Sequence, residues 1–219
     1  MPGWLERERE RVAAAARRLA AEGMVTGTAG NLSERSGELV AVTPTGARLD
    51  EVMAADVAVV DLTGEHRDGE LAPTSELSLH LGIYRRYEAG AVVHTHAPFA
   101  TALACVLDEL PVIHYQMLAL GGAVRVAPYA TFGTPELAEL TLQALEGRSA
   151  ALMANHGAIA YGPDLDVAVQ QSQLLEWACE LYWRASAVGP PRTLDAAQQL
   201  DFVEAVTRRG YGITRRTEP

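Results

Sequence analysis

His94 and His96 are separated by one residue within the apolar run Ala91-Val92-Val93-His94-Thr95-His96, which reads as a buried strand. Side chains at i and i+2 of a strand point to one face, so both imidazoles could reach a single ion. A third histidine, His156, follows another buried run (Ala150 to Ala154) and precedes Gly157, where the chain can change direction. Glu76 falls in the first turn of a helix whose start would face the same region. Three imidazole nitrogens and a carboxylate suit a borderline cation such as Zn²⁺. A lone His-x-His is more often a pair of core or surface histidines, and the company of His156 and Glu76 is what turns the reading towards a metal. The other histidines compete poorly. His66 sits in a polar turn, His80 reads as a satisfied helix-face histidine four residues after Glu76, and His114 reads as structural.

Three further segments have the character of an oxyanion pocket. Gly27-Thr28-Ala29-Gly30-Asn31, Thr43-Pro44-Thr45-Gly46 and Pro73-Thr74-Ser75 are rich in glycine and hydroxyls, and the last adjoins Glu76. Glycine lets backbone approach a ligand closely, and hydroxyls, backbone N–H groups and a helix start can hold an anion without a cationic side chain. Each segment alone is an ordinary turn. Their combination matters because all 18 basic residues are arginine and the chain has no lysine. A Schiff-base nucleophile and a Walker-type phosphate loop both need one. Carbonyl chemistry on a phosphorylated substrate would therefore require a metal as electrophile.

Several elements must position these groups. A helix is expected from about Trp4 to Glu22, stopped by Gly23, followed by short apolar runs at Leu39–Thr43 and Val57–Asp61 around a turn near Glu65. Ser75 would cap a helix reaching about Tyr87, and Phe99 to Leu107 would form another after the histidine strand. Thr134-Pro135-Glu136 has a cap, a proline and an acid in order and marks a helix start. Helices from about Asp164 to Ala187 and from Thr193 to Arg209, with Gly210 as a stop, complete the chain. Strands interleaved with helices imply a sheet covered by helices, mixed or largely antiparallel because Leu39 to Glu70 is hairpin-like. No repeat or low-complexity linker divides the 219 residues, so one domain is expected.

Bulk properties set outer bounds. The formal net charge is −10 and the arginine pairs are scattered, which argues against nucleic acid. No apolar run approaches membrane-spanning length, the N-terminal stretch is charged, and two cysteines make no disulfide framework. No membrane association and a cytoplasmic location are the default expectations.

Taken in order, Gly27 to Ser33, Thr43 to Gly46, Ser75-Glu76, Ala91 to Ala97, Ala127 to Thr134 and Asn155-His156-Gly157 resemble the class II aldolase/adducin family. The resemblance runs from the first helix to Tyr211-Gly212-Ile213. It implies a three-layer α/β/α fold with a mainly antiparallel central sheet, assembled as a homotetramer with active sites at subunit interfaces. It implies one zinc per subunit at Glu76, His94, His96 and His156, and a phosphate pocket at Thr28, Gly30, Asn31, Thr45, Gly46, Thr74 and Ser75. Thr74-Ser75 replaces the two serines of close relatives and keeps both hydroxyls. Glu76 is also the implied general base. Tyr115 corresponds to a tyrosine reaching a neighbouring subunit's site as proton donor, and Tyr211 to one shaping the aldehyde pocket. The implied reaction is reversible cleavage of a ketose 1-phosphate, L-fuculose 1-phosphate or similar, to dihydroxyacetone phosphate and a short aldehyde such as L-lactaldehyde. From about residue 212 a tail is expected.

Epimerases of the same fold carry an aspartate shortly after the region of His114, where this chain reads His114-Tyr115-Gln116-Met117-Leu118 with no acid. Decarboxylases and dehydratases of the family share the metal site. A non-catalytic adducin-like module would have no use for the ligand set, base and hydroxyl pocket together.

Overall fold

A computed structural model describes residues 4–209. Helix α1 (Glu6–Ala21) buries Val12, Ala13, Ala16 and Leu19 at helical spacing, with Glu6 and Glu8 in its first turn and Arg18 in its last, as the helix dipole favours. Four strands follow around it: β1 (Asn31–Ser36), β2 (Leu39–Val42), β3 (Ala58–Asp61) and β4 (His66–Asp68), an antiparallel meander. The polar stretch around His66 is thus an edge strand rather than part of the turn. The turn itself is tightened by Asp61, whose carboxylate accepts from the backbone N–H groups of Thr63 and Glu65.

Helix α2 (Leu77–Arg86) leads to β5 (Ala91–Thr95), which pairs with β1 in the middle of the sheet. After α3 (Pro98–Ala104) come β6 (Glu109–Leu110), a short 3₁₀ helix at Tyr115–Leu120, β7 (Val124–Ala127), α4 (Pro135–Ala144), β8 (Ala150–Met153) and β9 (Gly157–Gly162). Two helices close the described chain, α5 (Leu165–Val188) and α6 (Ala196–Arg209). The sheet order is β4-β3-β2-β1-β5-β9-β8-β7-β6. Every neighbouring pair is antiparallel except β7 and β8, so the sheet is mixed but mainly antiparallel.

Period-2 alternation divides the core into two layers. Leu32, Ala91, Val93, Ala150 and Leu152 pack towards α1, α3 and α5. Val40, Val42, Val92, Ala151 and Met153 pack on the other face, towards α2 and α4. These are the three layers the sequence implies. Thr134 caps α4 as expected, its hydroxyl accepting from the Leu137 N–H. Ser75 does not cap α2. The helix begins after Glu76, and it is the Thr74 hydroxyl that accepts from the Glu76 N–H. The last helix starts later than Thr193, because Asp195 and Gln198 cap each other reciprocally. Among the described residues, no helix is long and apolar enough to cross a membrane.

Candidate metal centre and substrate pocket

The pairing of β1 with β5 sets Asn31 directly opposite His94, and β5 continues to His96 just past the strand end. Helix α3 leaves immediately afterwards, its first N–H groups at Phe99 and Ala100 held by the Glu176 carboxylate of α5 at 2.9 and 2.7 Å. That clamp fixes the exit of the chain from the histidine pair. His156 arrives from the tight connection between β8 and β9, where Asn155 adopts a left-handed conformation with φ 54°, which asparagine tolerates better than most residues. Gly157 lets the cluster close. A Cβ there would sit 2.4 Å from the Thr95 carbonyl oxygen and 3.2 Å from the His96 ring.

His94, His96 and His156 bring one ring nitrogen each within 4.8 Å of one another. The His94 Nδ1–H donates to the Ala158 carbonyl at 2.8 Å. In a neutral ring this leaves Nε2 as a bare lone pair, and it faces Glu76 Oε2 at 3.2 Å and His96 Nε2 at 3.0 Å. Acceptor thus meets acceptor in a buried place, since His94 is fully buried and Glu76 6% exposed. The other carboxylate oxygen, Oε1, lies 3.4 Å from His156 Nε2 and has no hydrogen-bond partner among the described residues. A cation between these groups would satisfy all of them at once. The donor set of three imidazoles and a carboxylate fits Zn²⁺.

The electrostatics favour deprotonated ligands. Burial, with His94 and His156 nearby, pushes His96 down to about 4. Burial and His94 likewise depress His156. For Glu76 burial works against the charge, but His94, the Asn31 hydrogen bond and His156 outweigh it and hold the carboxyl below its usual range.

All seven residues expected at a phosphate pocket, Thr28, Gly30, Asn31, Thr45, Gly46, Thr74 and Ser75, line one cavity of about 280 Å³. Glu76, His96 and His156 lie on its wall, and among the described residues no arginine does. Gly30 has φ 90°, and a Cβ there would stand 2.8 Å from Val25 and 3.0 Å from the His94 carbonyl oxygen. The first loop therefore depends on glycine to lie against the histidine strand. Phe132, two-thirds exposed, also lines the cavity. It was not singled out in the sequence, and only its place in Ala127 to Thr134 points to it.

One expected residue lies elsewhere, and another is outside the described residues. Tyr115 is not among the residues lining this cavity in its own chain. Its ring packs at 4.7 Å from Phe202 and 4.3 Å from His114. Tyr211 lies outside the described residues. His114 caps the 3₁₀ helix through Nδ1, which accepts from the Gln116 N–H, and packs against Trp177. That supports its structural reading. His80 is satisfied, as the sequence suggests, but through partners that periodicity could not reveal. Nε2 pairs with Asn31 Oδ1 at 2.5 Å and Nδ1 with the Ser33 hydroxyl at 2.7 Å.

Residues 10–183 match the family model of the Class II Aldolase and Adducin N-terminal domain. A 5-methylthioribulose-1-phosphate/5-deoxyribulose-1-phosphate aldolase of Rhodospirillum rubrum is 42% identical over 206 residues, 93% of each chain. The L-fuculose phosphate aldolase of Escherichia coli K12 is 39% identical over 171 residues, 77% of this chain and 79% of that one. A solved structure of L-fuculose 1-phosphate aldolase superposes with a TM-score of 0.88 at 34% identity, covering 94% of this chain and 98% of that one. The chain belongs to the class II aldolase and adducin family, on its aldolase side, among lyases that are generally metal-dependent.

Proposed function

We propose that the chain is a zinc-dependent aldolase that reversibly splits a ketose 1-phosphate between C3 and C4 into dihydroxyacetone phosphate and a short aldehyde. One observation carries this reading: bare imidazole and carboxylate acceptors converge in the wall of a hydroxyl-lined cavity into which, among the described residues, no arginine side chain reaches. His94, His96, His156 and Glu76 would hold the ion, which supplies Lewis acidity at the substrate carbonyl. The hydroxyls of Thr28, Thr45, Thr74 and Ser75, with the backbone of Gly30 and Gly46 and the Asn31 amide, would bind the phosphate. In the synthetic direction the substrate would displace Glu76 from the ion, and the freed carboxylate would take a proton from C3; the lack of a hydrogen bond at its Oε1 supports that role.

Tyr115 belongs to the same reading as a proton donor to the aldehyde oxygen in a neighbouring subunit's site. That Tyr115 does not line its own chain's cavity fits an assembly, a homotetramer with sites at subunit interfaces, in which it would serve another copy. Tyr211 would shape the aldehyde pocket.

The substrate names carried by the relatives differ only in part. Breaking C3–C4 of L-fuculose 1-phosphate or of a 5-deoxyribulose 1-phosphate releases the same triose phosphate. The aldehyde differs: lactaldehyde in one case, acetaldehyde or its methylthio derivative in the other. The phosphate and metal residues meet only the shared half, so they serve either substrate. The test is release of dihydroxyacetone phosphate from L-fuculose 1-phosphate and from 5-deoxyribulose 1-phosphate, followed by coupled reduction, with and without a chelator. Release abolished by chelation and restored by zinc is expected. A zinc-loaded protein that releases triose phosphate from neither would overturn the reading.

A further inference from the structure

Glu76 does not stand alone on its helix. Glu76, His80 and Tyr84 follow one another at intervals of four along α2, and Asn31 and Ser33 lie at an interval of two along β1. Four helical residues rise about 6 Å and two strand residues about 6.6 Å, so the two rows keep step. The side chains interleave into one buried ladder. Asn31 Nδ2 donates to Glu76 Oε2 at 2.9 Å, His80 Nε2 meets Asn31 Oδ1 at 2.5 Å, Ser33 Oγ meets His80 Nδ1 at 2.7 Å, and Tyr84 meets Ser33 Oγ at 2.7 Å. Asn31, Ser33, Glu76, His80 and Tyr84 are all buried, with Ser33 and His80 wholly so.

With the His80 ring neutral, only one arrangement of protons satisfies this ladder. An ionised carboxylate accepts and cannot donate, so the Asn31 amide must turn its NH₂ to Glu76 and its oxygen to His80. His80 must then carry its proton on Nε2 and accept at Nδ1 from the Ser33 hydroxyl. Ser33 in turn accepts from the Tyr84 hydroxyl. Every donor points towards Glu76. The same logic runs in reverse: if His80 held its proton on Nδ1, Asn31 would flip and present oxygen to a carboxylate. A buried chain of five polar side chains is no economical way to fill a core, because apolar residues of equal volume would do as well. Its geometry instead ends on one atom, Oε2, and leaves Oε1 without a hydrogen bond.

We propose that His80, with Ser33 and Tyr84 behind it, is a positioning residue that locks the Asn31 amide and so holds the Glu76 carboxylate by Oε2, leaving Oε1 to accept the substrate proton. This rests on the reading of Glu76 as the base. Asn31 also lines the cavity, but Ser33, His80 and Tyr84 do not, so substitutions at His80 and Tyr84 should act on the proton-transfer step more than on binding.

The experiment pairs a spectroscopic signature with kinetics in the zinc-loaded, full-length protein. Long-range ¹H–¹⁵N spectra should show His80 as the Nε2–H tautomer. Exchange of the C3 proton of dihydroxyacetone phosphate with solvent should fall about 10- to 100-fold in His80→Leu, the range usual for groups that orient a functional residue. KM and zinc stoichiometry should stay within about twofold. His80→Gln, which keeps a donor towards Asn31, should recover most of the rate. Tyr84→Phe leaves the packing intact and should lower the exchange rate about fivefold, as expected for one lost hydrogen bond. An Nδ1–H tautomer would overturn the proposal, as would a His80→Leu variant with unchanged exchange, or a Tyr84→Phe variant that loses zinc in proportion to rate. Absence of exchange in the wild-type chain would overturn the base assignment itself, and is seen without any variant.

Discussion

The two ends of the proposed active site are made of different material. At the metal end, each key side chain comes from a strand, a residue beside one or the start of a helix. Asn31 begins β1, His94 lies in β5 and His96 just after it, His156 precedes β9, and Glu76 immediately precedes α2. At the other proposed end stand the 3₁₀ helix with Tyr115 and the packing of Tyr115 on Phe202 of α6. Trp183 and Leu200 on the neighbouring helices are half exposed or more. One end is fixed by sheet register, the other by surface elements that partners and substrates can reach. The chemistry common to all ketose 1-phosphates belongs on the first, and the aldehyde that distinguishes them belongs on the second.

The sharpest way to break that comparison is to remove a ligand. His94→Ala takes away the central imidazole, which faces both Glu76 and His96. Lewis-acid stabilisation amounts to several kcal/mol, so cleavage should fall about a thousandfold or more for every substrate alike. Zinc content by atomic absorption should fall with it. A variant that kept its zinc and its rate would remove the centre from the mechanism. Next in size is Glu76→Gln, which keeps an oxygen donor but cannot take a proton. C3 proton exchange should drop at least about a hundredfold while appreciable zinc stays bound. Near-normal exchange would sink the base assignment.

The third prediction concerns the cost of burying this end. Burial pushes His80 down to about 3, below the ordinary histidine value near 6.5. Between those values the unfolded chain binds a proton that the folded chain refuses, so stability falls as pH is lowered. The contribution is fully present above about 6.5 and is lost at about 1.4 kcal/mol per pH unit below it. Chemical denaturation of the metal-free protein between pH 6.5 and 4 should show this slope, and His80→Leu should be shallower by about one proton. Equal slopes would mean that His80 is not held neutral.

What could be seen in the sequence divides along the same line. The histidine strand was legible because the apolar run Ala91-Val92-Val93 leads into His94 and Thr95, and the approach of His156 because a glycine follows it. The helix cap at Thr134 was legible from local chemistry alone, and the helix near Asp164 was placed without its cap being read. Strand β1 was not: Asn-Leu-Ser-Glu-Arg-Ser has no β-branched or aromatic residue, and it is made a strand by pairing on both sides. Strand β9, bounded by glycines, and the two-residue β6 were hidden for similar reasons. The partners of His80 lie 47 and 49 residues away along the chain, a distance over which no local pattern carries information. Tyr115 entered only through family resemblance, since its own surroundings read as an ordinary packed aromatic.

At the phosphate loops a smaller effect is expected. The Ser75 side chain lines the cavity from an exposed position just before Glu76. Ser75→Ala removes one hydroxyl from an anion site with no arginine in its lining, and a hydrogen bond to a charged group is worth about 1.5–3 kcal/mol. KM should therefore rise about tenfold for both substrates, with kcat nearly unchanged. A rise confined to one substrate would place Ser75 on the aldehyde side and blur the division of the site.

Tyr115→Phe is the finest test, because it acts at the variable end alone. The substitution keeps the ring, so its packing on His114 and Phe202 should persist. Loss of the hydroxyl removes a proton donor to the aldehyde oxygen but nothing that touches C3. Proton exchange into dihydroxyacetone phosphate should stay within about twofold of wild type, while carbon–carbon bond formation falls about fivefold or more, the loss of roughly one hydrogen bond in the transition state. Mixing Tyr115→Phe with His94→Ala chains then tests the assembly. If Tyr115 serves a neighbouring subunit, an intact metal centre flanked by a His94→Ala neighbour keeps its tyrosine, so mixed oligomers recover cleavage above the inactive homo-oligomer and towards the wild-type rate per intact centre. A tyrosine acting within its own chain would give mixed oligomers whose intact centres all run at the Tyr115→Phe rate, and the two ends of the site would belong to one subunit.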